Sequence, residues 1–110
     1  MYLNITTATM IPSSVVDQYK AVGASGSPTS ATGDWVYGIV KTPAKEDGAS
    51  MEVVTGGECY AIAGEDVTIG SRLTGGSNGE LVIGIVGTNE IVAHALETAA
   101  AGDVFRVKLV

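Results

Sequence analysis

Apolar residues in this chain recur at alternate positions in short runs, and glycine-rich turns separate the runs, which is the period of strands packed on one face. One arrangement occurs twice. The first copy reads Trp35-Val36-Tyr37-Gly38-Ile39-Val40-Lys41-Thr42-Pro43, then a turn over Lys45 to Ser50, then Met51-Glu52-Val53-Val54. The second reads Ile91-Val92-Ala93-His94-Ala95-Leu96-Glu97-Thr98, then Ala99-Ala100-Ala101-Gly102-Asp103, then Val104 to Val110. Both predict a hairpin, and together they predict matching hairpins of one β domain.

The remaining segments extend the same theme. Residues 1–14 are uncharged and rich in threonine and serine. They read as an arm outside the domain of residues 15–110, able to pair either with that domain or with another chain. Val15 to Val22 predicts a turn followed by a strand, and the stretch from Gly23 to Gly33 predicts a wide loop. Gly56-Gly57 is a hairpin signal ahead of Glu58 to Ala63. Gly64 and Gly70 predict bends around a short strand. Asn78-Gly79 suits a turn with positive φ before Glu80 to Val86, a run apolar enough to predict burial on both faces. The sum is about seven or eight short strands with little or no helix, an all-β sandwich or small barrel.

Composition agrees and narrows the function. The chain has 110 residues, 45% of them hydrophobic, with 15 glycines, which suits one β domain with a modest core. Six Lys and Arg against twelve Asp and Glu leave a formal charge of -6. Such a field repels a phosphate backbone, so nucleic acid is not an expected partner. No apolar run approaches the ~20 residues of a membrane helix, and no signal-peptide pattern opens the chain, so membrane is not an expected partner either. Cys59 is the single cysteine, which suits synthesis in a reducing cytoplasm.

Candidate chemistry is sparse. His94, the single histidine, shares a strand face with Val92 and Leu96 and reads as half-buried, with no Ser or Cys partner assigned by motif. Cys59 alternates with Ala61 and Ala63 and reads as a small buried hydrophobe. Gly75-Gly76-Ser77-Asn78-Gly79 lacks the lysine of a phosphate loop, and one His with one Cys gives no zinc spacing. Ala63 to Gly70 is similar to the glycine corner of lipoyl and biotinyl carrier domains, but neither Lys41 nor Lys45 has the neighbours of a modified lysine. No catalytic residue, metal ligand or cofactor is expected. Trp35 and Tyr37 share one face of their strand, where they serve either the core or a subunit interface.

The order of segments from Ser13 to Val110 resembles the capsid decoration, or head cement, proteins of tailed bacteriophages. The resemblance is carried by Gln18-Tyr19-Lys20-Ala21-Val22, by Val36 to Val40 leading to Pro43 and Gly48, by Val53 to Leu73 with its Ala63-Gly64-Glu65-Asp66 corner, and by Ile91 to Val110. It implies a non-enzymatic virion protein, made in the host cytoplasm, that binds the outer surface of the assembled capsid and stabilises it, often as a homotrimer. The major capsid protein would be its partner, gripped by strand addition through Tyr2, Leu3, Ile5, Met10 and Ile11 of the arm. Trp35 and Tyr37 would then serve contacts between copies. The other reading is a self-assembling or receptor-binding β module of a phage tail or surface layer.

Overall fold

A computed structural model describes residues 3–12, 15–44, 46 and 49–110, with the side chain of Leu3 excepted. Eight strands form one antiparallel sheet: β1 (Leu3–Met10), β2 (Ala21–Val22), β3 (Gly38–Thr42), β4 (Met51–Ile62), β5 (Arg72–Gly75), β6 (Leu81–Ile83), β7 (Ala93–Ala95) and β8 (Val104–Leu109). Among the described residues the one helical element is a 3-10 turn over Ser77–Gly79. The sheet order is β2-β3-β4-β8-β7-β5-β6, with β1 beside β4. At the far end Leu81 of β6 bridges Ala63, just past β4, and Gly64 N–H donates to the Leu81 carbonyl at 2.8 Å. That bridge brings the sheet back on itself, and the architecture is all-β and barrel-like.

β4 organises the molecule because it has three neighbours. Val54 faces Thr7 of β1 and Ile39 of β3, and Glu58 faces Leu3 of β1 and Lys108 of β8. With β1 along one edge, β3 and β8 must occupy successive lengths of the other. The changeover falls at Thr55-Gly56-Gly57. Here the expectation of a hairpin at Gly56-Gly57 is wrong, since β4 runs through both glycines without reversing. Gly57 does have φ +92, in the region that strains a side chain, and its glycine serves a bend within the strand. Both predicted hairpins are present, β3 with β4 and β7 with β8. A turn does precede a strand between Val15 and Val22, but it falls at Gln18–Tyr19, later than the serine-led turn the pattern predicted, and leaves only the two residues of β2 to pair.

Alternation sorts the apolar residues onto two cores. Ile39 and Val54 enter the main one with Cys59, Ala61, Leu73, Leu81, Phe105 and Val107. Their immediate neighbours Val40 and Val53 enter a second cluster with Val16, Val22, Ala44 and Met51 on the opposite face. Successive apolar residues, Ile39-Val40 in β3 and Val53-Val54 in β4, are thus buried on opposite faces because each face of this part of the sheet is covered. The close approach of β3 to β4 depends on Gly38, where a Cβ would run into Val53 Cγ1 and the Val54 carbonyl.

Two readings need correction beyond the Gly-Gly bend. The run from Glu80 to Val86 is not a doubly buried strand: β6 ends at Ile83, and Ile85 and Val86 are each 63% exposed. The Asn78-Gly79 turn before it forms as expected, with φ of 57 and 72. What the apolar run lacks is a covering layer, because the chain turns at Ile85, whose carbonyl accepts from Thr88 and Asn89 N–H groups. The short strand expected between Gly64 and Gly70 reduces to a single bridge from Val67 to Ala99.

Candidate functional site

The divergence of β3 and β8 from the shared edge of β4 opens a groove on the surface. Trp35 and Tyr37 form one wall, Ile91 and Val92 with Leu109 and Val110 the other, and Thr55 of β4 lines the gap between them. The cavity measures about 260 Å³, room for a side chain or two rather than a metabolite. Trp35 is 53% exposed, so it is not a core residue, while Tyr37 is half-buried against the second core. Their rings meet edge to face, with centroids 6.0 Å apart and planes at 60°. This geometry suits attraction between ring edge and ring face and holds the exposed indole in place.

The loop before Trp35 is fixed by polar contacts. The Asp34 carboxylate accepts from Ser30 N–H at 2.9 Å, Ala31 N–H at 3.1 Å and Ser30 Oγ at 3.2 Å. The Ser30 backbone N–H foremost, then that of Ala31, hold the Asp34 pKa below its ordinary value against the opposing effect of desolvation. Gly33 N–H donates to the Gly75 carbonyl at 2.8 Å, and Thr29 Oγ1 donates to the Gly76 carbonyl at 2.6 Å. The aromatic wall is thereby tied to β5.

The predicted arm residues meet different fates. Tyr2 lies outside the described residues, as does the side chain of Leu3, whose backbone begins β1. Ile5 packs against the main core and Met10 against the second. Ile11, just beyond β1, is 68% exposed. Of the two partners open to the arm, the domain's own β4 takes one edge of β1, and among the described residues no strand pairs with the other edge.

The remaining candidates separate in space. Cys59 is buried, and desolvation pushes its thiol pKa up to about 12, which leaves almost no nucleophilic thiolate at neutral pH. His94 is exposed rather than half-buried, because its neighbours Ala93 and Ala95 take the core-facing positions of β7. The two therefore lie on opposite faces of the sheet and cannot act as a pair. The sequence missed Ile91, Val92, Leu109 and Val110 as partners of Trp35. Only the β4 changeover brings the closing hairpin beside β3.

No protein-family model matches the chain, and no curated protein sequence does. Among solved structures, the crystal structure of the head fiber gp8.5 N base of bacteriophage phi29 superposes with a TM-score of 0.73, covering 96% of this chain and 94% of that one. At 20% sequence identity, the likeness is one of fold, and it extends over nearly the whole of both chains.

Proposed function

We propose that this chain is a non-enzymatic structural protein of a phage virion, seated on the outer surface of the head, where it binds the major capsid protein and stabilises the shell. The observation that carries the reading is the end-to-end fold likeness to a phage head fiber base. It agrees with the resemblance to head cement proteins that the order of segments suggested independently. The absence of a reactive Cys59 and its separation from His94 favour a binding role over catalysis.

Within this reading, attachment uses what the fold leaves unoccupied. The outer edge of β1 offers backbone groups for strand addition, Ile11 follows it as an exposed apolar anchor, and Trp35 with its groove serves contacts between neighbouring copies in a trimer. Three equivalent attachments on a repeating shell raise the effective concentration of each, so modest contacts suffice. The fibre character of the structural neighbour favours a second reading, in which the domain is the seat of a longer head appendage.

The test incubates purified chain with undecorated heads and measures bound copies per head. Removing residues 1–11 should abolish binding, with folding checked by circular dichroism because β4 loses its neighbour. Ile11→Ser and Trp35→Ala leave both cores intact and should each lower occupancy. Unchanged occupancy for all three variants refutes the attachment scheme, and absence of binding by the parent chain refutes the head-surface reading. Long homopolymers in sedimentation without heads would favour the tail or surface-layer alternative.

A further inference from the structure

Cations are scarce on this protein, and most of those described have an internal acceptor. Lys41 Nζ pairs with Glu52 Oε1 at 3.2 Å, Arg106 Nε pairs with Glu97 Oε2 at 3.2 Å, and Lys20 Nζ donates to the Asn78 carbonyl at 2.7 Å. Arg72 and Lys108 make no side-chain ion pair or hydrogen bond among the described residues. The sheet register sets both in one row. Arg72 of β5 lies opposite His94 of β7, and His94 lies opposite Lys108 of β8.

Residues directly opposite in an antiparallel ladder project on the same face with Cβ atoms about 5 Å apart. The intervening Leu73, Ala93, Ala95, Val107 and Leu109 are buried, so this row faces outward, and all three of its members are exposed. Glu58 of β4 continues the row beyond Lys108 and forms no ion pair with it. Arg72 and Lys108 thus flank the only histidine on one exposed row, and neither side chain is held by an ion pair or hydrogen bond of its own among the described residues.

The row borders an open depression of about 490 Å³ that also includes exposed Ile69 and half-buried Leu96. We propose that this face is a docking site for an acidic peptide segment of another protein, with a carboxylate over the Arg72, His94 and Lys108 row and an apolar side chain against Ile69 and Leu96. A guanidinium offers paired donors to a carboxylate, an ammonium adds charge, and an imidazole supplies an N–H donor in either protonation state. A free inorganic anion would leave the apolar part of the depression unused. A nucleic acid would meet the repulsion of a chain with net charge -6. The site is independent of the head-surface reading, since neither Ile11 nor Trp35 borders it.

The test titrates the full isotope-labelled chain with a blocked Leu-Glu-Leu-Glu-Leu peptide, with its Gln analogue, and with inorganic phosphate, following amide shifts by NMR. Saturable shifts are expected at residues 69–72, 94–96 and 108 with the acidic peptide, at affinity on the order of tenfold above the Gln analogue. The double variant Arg72→Gln with Lys108→Gln should remove that preference. A separate measurement guards against a folding artefact: Lys108→Thr and Arg72→Thr should each keep Tm within about 3 °C of the parent chain, because both side chains are exposed and neither forms an ion pair or hydrogen bond among the described residues. Absence of saturable shifts, an equal response to the Gln analogue, or a preference that survives the double variant overturns the proposal. Phosphate binding as tight as the peptide also overturns it, by making the row an inorganic anion site only.

Discussion

Replacing Phe105 by Ala tests the closed sheet most directly. Phe105 is fully buried on β8 and is the one aromatic ring of a core that mixes alanines and Cys59 with β-branched residues and leucines, among them Ile39, Val54, Leu73, Leu81 and Val107. Losing the burial of the ring removes ~2–3 kcal/mol of transfer free energy. The unfilled cavity adds ~1–2 kcal/mol, because side chains held on hydrogen-bonded strands relax only partly into the space, which gives a total of about 4 kcal/mol. A domain of this size has roughly 5–15 kcal/mol to lose, so the variant should fold but only marginally. In urea titrations with m of about 2 kcal/mol/M, the midpoint should fall by about 2 M with m unchanged. Phe105→Leu retains much of the volume and should lose no more than about 1.5 kcal/mol. An alanine variant that loses less than about 1.5 kcal/mol would refute the close packing of this core around Phe105.

Three further outcomes are expected. Thr74 Oγ1 is buried without a hydrogen-bond partner among the described residues, so Thr74→Val should stabilise by about 1 kcal/mol and raise Tm by ~4 °C; an unchanged or lower Tm would mean that the hydroxyl has an acceptor. Asp34 has its folded pKa below the ordinary 3.8, so the stability it adds is present above that value and is lost as pH falls through the lower folded pKa. Asp34→Asn should flatten the acid limb of Tm against pH, and a limb of the same steepness would remove Asp34 as its cause. Cys59, with its thiol pushed up to about 12, should resist a disulfide reagent at pH 8 and react promptly in concentrated urea, and rapid modification of the folded chain would contradict its burial.

Much of the fold was legible from local pattern. The pairing of β3 with β4 and of β7 with β8, and the turn at Asn78-Gly79, follow from strand alternation interrupted by residues that accept turn geometry. Burial was legible where alternation was clean, as at Cys59, Ala61 and Ala63. It was not legible in Glu80 to Val86, because an unbroken apolar run specifies no face, and exposure there depends on whether another layer arrives to cover it. Gly56-Gly57 misled for a related reason: the same freedom of φ that closes a hairpin also bends a strand that continues. Of the site, Trp35 and Tyr37 stood out as an aromatic pair, whereas their groove partners Leu109 and Val110 lie at the other end of the chain.

What the sequence determined by itself was the kind of structure: alternation set strands, glycine and Asn-Gly set turns, and the scarcity of reactive groups pointed to binding. Those are short-range properties, readable within a few residues. The tertiary structure decided which strand lies beside which, and so where the surface is notched and where cations gather. β4, with β1 on one edge and β3 followed by β8 on the other, opens the groove beside Trp35, and ladder register alone aligns Arg72, His94 and Lys108. Pairing partners are chosen by the burial of the whole core, a long-range balance of packing and loop closure that no local stretch encodes.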